Sequence, residues 1–326
     1  MTWLAWRQFR MPALSVYAGI AVLAVVLLVG RGTVGEQEEL FYRSGQIALY
    51  ALPAALGAFW GVPMITRELE TGTHNLAWNQ TVTRTRWLAV KLGLGVVAAM
   101  VATGLLSAVV SWWAAPIDGA AAVDPGSSYE PRIAVAIFTA RGVAPVGYAA
   151  FAFVLGIAVG LVVRRTVAGM AVVLVVFAAV QVAVPLAVRP HLLPATEQAV
   201  TLTAEVIEGV RTEETTGGQV PVSLAVARPP GSWVLADETV DRDGTAISPL
   251  PEAVRGCSPE PRPGVIPDFE RSHACFAQLA GLGYHQRLVY QPGERFWPLQ
   301  WLETALFLGM AGLLTWFCFR RLRHVS

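Results

Sequence analysis

Apolar residues in this chain gather into long uncharged blocks, at 11–30, 44–66, 92–117, 142–163 and 166–188. A helix needs about 20 consecutive apolar residues to cross roughly 30 Å of hydrocarbon, so each block predicts a membrane span. A sixth block, 296–319, carries one charge, Glu303, near its start. Polar segments separate the blocks, and two of them matter most. One is the short stretch ITRELETGTHNLAWNQTVTRTRWLAVKL at 65–92; the other is the long stretch 189–296, rich in Pro, Gly, Glu and Arg.

Within 189–296, the alternating TLTAEVIE (201–208) and QVPVSLAV (219–226) predict short strands, and DRDG (241–244) predicts a turn. PDFERSHACFAQLAGLG (267–283) reads as a helix with Asp268 as N-cap. The expected fold is an α-helical membrane protein of six spans, with a mixed α/β extracytoplasmic domain between spans five and six. Its parts are an amphipathic interfacial helix at 1–12, spans one to five within 13–188, a cytosolic loop at 66–87, the outer domain at 189–296, span six at 297–319 and a basic tail at 320–326. The interfacial helix rests on Trp3, Trp6 and Phe9 sharing one face, opposite Arg7, Gln8 and Arg10. YEPRIAVAIFTARG (129–142) is too short to cross before Arg141 and reads as an interfacial or re-entrant helix. Arg164-Arg165-Thr166 makes spans four and five a tight hairpin.

Composition agrees with a membrane protein. Hydrophobic residues are 54% of the 326, charged residues only 14%, against about 25% in a soluble domain. Positive charge is retained on the cytoplasmic side. The clusters Arg7/Arg10, Arg67/Arg84/Arg86/Lys91, Arg164/Arg165 and Arg320/Arg321/Arg323 fall together when both termini are inside, while Arg31, Arg43, Arg132 and Arg141 lie on the outer side. Spans follow the first block directly and no small-residue cleavage site is visible, so a removed signal peptide is not expected. The expected location is a bacterial plasma membrane.

The polar groups narrow the chemistry. Span two holds Pro53 and Pro63, which favour kinks. Gly57–Gly61 and Gly156–Gly160 have the spacing that permits close helix contact, including across a dimer face. Gln181, Glu303 and Arg141 are the candidates for a polar pathway, since an intramembrane ionisable residue reads as functional. So few such groups argue against an ion-coupled carrier and favour a hydrophobic or amphipathic substrate. Cys257 and Cys275 share the outer segment and read as a disulfide, the alternatives being free thiols or metal ligation with His273. Cys318 reads as packing within span six.

No nucleotide site is legible: a P-loop needs Gly-Lys, and the only lysine, Lys91, follows Val90. EELFYR (38–43) and FERSH (269–273) have the spacing of intramembrane proteases, but both fall in outer polar segments where they cannot activate an intramembrane water. The chain is therefore not expected to be an enzyme, to bind a cofactor or a metal, or to have a nucleic-acid partner.

R-E-L-E-T-G-T-x-x-L-A-W-x-Q-T-V-T-R-x-R-W-L-x-x-K-L, at 67–92, resembles the first inner loop of ABC-2 type transporter permeases from actinobacteria. The six-span plan, the basic start, Arg164-Arg165-Thr166 and YQPGERFWPLQWLE (290–303) extend the resemblance over most of the membrane part. It implies an exporter subunit that works as a dimer, with a second copy or a related permease, alongside two cytosolic ATP-binding cassette subunits that bind ATP and Mg. It further implies that Glu68, Leu69, Glu70, Thr71, Gly72, Thr73 and His74 form a coupling helix docking on the ATPase. The competing reading is a membrane receptor or immunity-type binding protein whose outer domain takes a ligand.

Overall fold

The computed structural model describes residues 2–30, 36–71, 83–123, 129–203, 206–215, 218–250, 274–275 and 283–322. They form two units: one of 1–119, 132–193 and 295–326, the other of 120–131 and 194–294.

The first unit is a helical bundle. Its helices are α1 (Thr2–Val29), α2 (Glu36–Ala55), α3 (Val62–Glu70), α4 (Arg84–Val123), a single turn α5 (Val135–Phe138), α6 (Ala144–Val163), α7 (Thr166–Ala183) and α8 (Phe296–Leu322). Among the described residues, six segments are long and apolar enough to cross a membrane: 10–29, 39–70, 84–123, 144–163, 166–191 and 293–322. The protein is a multi-pass membrane protein.

The boundaries differ from the sequence reading where proline and charge intervene. Pro12 lies inside α1, which runs unbroken from Thr2. A wide π-turn, Leu56–Gly61, joins α2 to α3 with Pro53 before it and Pro63 after it. Each proline removes a backbone donor, and the wide turn carries the chain through without a break. A second π-turn, Val184–Val188, contains Pro185 and ends span five in the short 3-10 turn Arg189–His191. Helix α4 has 40 residues, roughly 60 Å at 1.5 Å per residue, so it continues well past the expected end at 117 and takes in Asp118. The helix expected over 129–142 is only the turn 135–138, with Ile133, Ile137, Phe138 and Arg141 all buried.

Helix α6 is the axis of the bundle. Its spanning window is 78% buried, against 11% for span one and 22% for span five. Small residues make this possible. A Cβ on Gly156 would stand 2.2 Å from the Gly57 carbonyl oxygen, and one on Gly61 would stand 3.1 Å from the Gly156 Cα. The two GxxxG stretches thus pack on each other within one chain, and this contact accounts for spacing that by itself also fits a dimer face.

The second unit holds β1 (Thr196–Thr201), β2 (Ile207–Thr215), β3 (Gly218–Val226), β4 (Trp233–Val240) and β5 (His285–Gln291). Strand β5 lies between β1 and β4, and β2 pairs with β3; all pairs are antiparallel. QVPVSLAV lies in β3 as expected. TLTAEVIE is not one strand: it spans the end of β1, a turn closed by Val206 N to Thr203 O at 3.1 Å, and the start of β2. Leu202, Ile207, Leu224, Val226, Leu250 and Leu288 make the unit's apolar core. The DRDG turn forms: Asp241 accepts from the Asp243 and Thr245 amides at 2.9 Å each, and Gly244 takes φ +80°. Of the expected helix at 267–283, residues 274–275 are helical and most of the rest lies outside the described residues, as does Cys257.

Candidate functional site: two polar clusters in the bundle

The bundle is apolar, so its charged side chains stand out by what they bind. They gather at its two ends. One end is marked by the Arg164-Arg165 hairpin, the other by Arg189 and Glu303.

At the hairpin end, α3 carries Glu68 and Glu70 out of span two. Glu68 is held by α4 through both of its oxygens. Its Oε1 meets Lys91 Nζ at 2.6 Å and its Oε2 accepts from Trp87 Nε1 at 3.0 Å. Lys91 also donates to the Met64 carbonyl at 2.9 Å and sits 4.7 Å from the centre of the Trp87 ring. The Lys91 and Glu68 side chains are 6% and 18% exposed, which makes this a largely desolvated pair. A buried pair repays its desolvation only when the remaining donors and acceptors are also bonded, and here they are.

Glu70 does a different job. Its Oε1 accepts from the Thr166 amide at 2.7 Å and its Oε2 from the Thr166 hydroxyl at 3.0 Å. Arg165, the residue in the N-cap position of α7, makes no side-chain cap. The carboxylate of another helix therefore fills the role, satisfying an orphan donor and meeting the positive end of the helix dipole. Such a cap contributes about 1 kcal/mol. Thr66 adds a hydroxyl contact to Thr166 at 2.6 Å. Leu69 packs against the apolar core, and Thr71 closes α3 on the Arg67 carbonyl. Gly72, Thr73 and His74 lie outside the described residues. The four described residues of the expected coupling helix are thus bound to this chain's own helices: span two is tied to span three by Glu68 and to span five by Glu70.

At the opposite end the centre is Arg189. Its Nε and Nη2 donate to the two Glu303 oxygens at 2.7 and 2.9 Å, and Nη2 also reaches Thr139 Oγ1 at 2.6 Å. Tyr148 donates to Glu303 Oε1 at 2.8 Å, and the guanidinium lies 4.2 Å from the Phe138 ring centre. Both charged side chains are fully buried. One turn earlier on α8, Gln300 accepts from the Val143 and Ala144 amides and donates to the Phe138 carbonyl. That side chain caps α6, so α8 grips the start of span four with Gln300 and the end of span five with Glu303. Gly142, at φ +64°, lets the chain turn there; a Cβ would meet Gln300 at 2.9 Å.

The three expected pathway residues do not bond to one another. Glu303 belongs to the Arg189 cluster. Arg141 pairs separately with Asp118, Nε to Oδ2 at 3.0 Å. Gln181 donates to the Tyr50 carbonyl at 3.2 Å, a contact between spans five and two. The sequence reading missed Arg189, placed in the outer segment, and Asp118, one position beyond the third block. The available signal was opposite charge: Arg189 follows directly on block five, on the same side as Glu303 in block six.

Catalytic chemistry finds no assembly in these clusters. Glu39 and Arg43 of the protease-like pattern form an exposed pair one helical turn apart. Among the described residues no group of three His, Cys, Asp or Glu side chains is arranged to hold a metal.

Residues 31–189 match the family model of ABC-2 membrane transporter related domains. No curated protein and no solved structure gives a significant match to the chain. Members of this family are membrane subunits, generally non-catalytic, that pair with an ATP-binding cassette subunit. The match covers spans two to five, with both carboxylates of the hairpin-end cluster, Lys91 and Arg189 inside it. Residues 31–189 are thus similar to ABC-2 membrane transporter related domains, which supports an ABC-2 type permease.

Proposed function

We propose that this chain is the membrane-spanning permease subunit of an ATP-binding cassette exporter, moving a hydrophobic or amphipathic substrate. ATP and Mg are bound by a separate cytosolic ATPase pair. The permease acts with a second copy or a related permease, with both termini on the cytosolic side of a bacterial plasma membrane. One observation carries the reading: α3, which leads into residues 72–82, is tied to α4 by Glu68–Lys91 and to α7 by Glu70–Thr166. A push there is delivered to spans two, three and five at once. The close backbone contact at Gly57, Gly61 and Gly156 passes it to span four. This is the rigid-body behaviour a lever requires.

The test follows from which side chains are already occupied. Charge reversal at Glu68 or Glu70 breaks contacts inside the bundle, so it does not isolate coupling. Substitutions Thr73→Asp and His74→Asp, in the segment between α3 and α4, address the partner directly. In proteoliposomes with the co-purified ATPase they are expected to lower permease-dependent ATP hydrolysis by about tenfold, the scale of a typical coupling energy. Thermal stability should stay at the wild-type value. Unchanged hydrolysis in both variants refutes the coupling assignment.

The pairing of Cys257 with Cys275 belongs to the same proposal, since it requires that segment to be outside. Mass spectrometry of non-reduced peptides is expected to recover the two as one cross-linked species. Two alkylated thiols would remove both the bond and this support for the orientation.

A further inference from the structure

Three buried ion pairs hold the described part of the bundle, and one of them is incomplete. Arg141 and Asp118 meet through a single contact, Nε to Oδ2. Arg141 Nη1 donates to its neighbour's carbonyl, Ala140 O, at 3.1 Å, but Nη2 has no hydrogen-bond partner, and neither has Asp118 Oδ1. Arg141 is 2% exposed. A guanidinium and a carboxylate ordinarily pair two for two, so the single contact leaves one donor group and one acceptor oxygen beside the same salt bridge.

The surroundings are aromatic. The Tyr42 ring lies 5.0 Å below the guanidinium, and Phe41 meets Trp113 edge-on at 6.4 Å. The Tyr42 hydroxyl interacts with both Arg141 and Asp118. It accounts for at most one of the two N–H groups on Nη2. The Asp118 side chain, 11% exposed, is the more accessible edge of the pair.

Charge decides what fits. A carboxylate satisfies Arg141 but sets a second anion beside Asp118. An ammonium satisfies Asp118 but sets a second cation beside Arg141. A neutral group with an acceptor and a donor on adjacent positions satisfies both and leaves the pair balanced. We propose that Arg141 and Asp118 form a binding site for an amphipathic solute whose polar group is amide-like, held by Arg141 through its carbonyl and by Asp118 through its N–H. This narrows the substrate class of the permease reading and rests on it.

The test uses the full chain in phosphatidylcholine nanodiscs, without ATPase, and tritiated dodecanamide and methyl dodecanoate as probes in a scintillation proximity assay. Loss of a hydrogen bond to a charged group corresponds to about tenfold in affinity, so saturable amide binding is expected to be about tenfold tighter than ester binding. Asp118→Asn keeps the side-chain shape but presents an N–H where Oδ1 was, and is expected to erase that preference. If Asp118→Asn yields no folded protein, the wild-type comparison with N,N-dimethyldodecanamide, which keeps the carbonyl and lacks the N–H, takes its place; this probe is expected to bind about tenfold more weakly than dodecanamide. Equal binding of the two probes, no saturable binding, or an amide preference that survives substitution overturns the proposal. Because no ATPase is present, such a failure is separate from a failure of coupling at Thr73 and His74.

Discussion

Replacing Arg189 with Met is expected to destabilise the protein by about 3–5 kcal/mol, the largest effect of any single substitution considered for the bundle. The cause is what remains rather than what is removed. Glu303 is fully buried and surrounded by Tyr148, Thr139 and aromatic rings. Without Arg189 its carboxylate has one hydroxyl donor and no counterion. A hydrogen bond between membrane helices averages only about 0.6 kcal/mol, so the loss of bonds alone does not reach this size. The paired variant Arg189→Met with Glu303→Leu removes both charges and is expected to recover most of the stability. Thermal unfolding in detergent, read by loss of the monodisperse peak, separates the two outcomes. A single variant within 1 kcal/mol of wild type would show that the cluster is not a desolvated pair.

The second large effect is expected at Gly156. Even Ala places a methyl 2.2 Å from the Gly57 carbonyl oxygen and 3.0 Å from the Gly61 Cα, and both obstacles are backbone. Spans two and four must separate to admit it. Overpacking of this kind costs about 1–3 kcal/mol for Ala and more for Val or Leu. Gly93 and Gly309 serve as controls, since a Cβ there meets nothing within 4 Å. Gly→Ala at those sites should be neutral or slightly stabilising, because a helical glycine costs roughly 0.5–1 kcal/mol relative to alanine. Folded yield after size exclusion measures the difference. If Gly156→Ala instead splits a dimer and leaves the monomer as stable as before, the glycines face a second copy rather than span two.

These two sites mark the limit of what a linear pattern conveys. Glu303 was visible as a lone charge in an apolar block, but its partner stands 114 positions away at the end of another span. Arg189 is joined to span five by a π-turn and a 3-10 turn, and counting an uncharged block to 188 puts it outside the membrane part. The same counting stopped block three at 117 and set Asp118 aside. The GxxxG spacings were legible, but their target was not, since spacing states how close two helices can come and not which two. Glu68 and Glu70 show the same division. Their position beside the membrane was readable, whereas their engagement with Lys91, Trp87 and Thr166 depends on three helices meeting.

What the amino-acid order determined by itself is the solvent of each segment. Long uncharged blocks have no soluble alternative, so six spans and the tight Arg164-Arg165 hairpin follow from the length of hydrocarbon to be crossed. The loop at 67–92 likewise carried enough pattern to point to the ABC-2 family. Only the tertiary structure decided which charges neutralise one another and which glycines touch. Those choices are made by helix rotation and packing, which bring together groups roughly 20 to more than 100 residues apart. No local periodicity encodes them, because burying a charge is costly until a partner from another helix arrives.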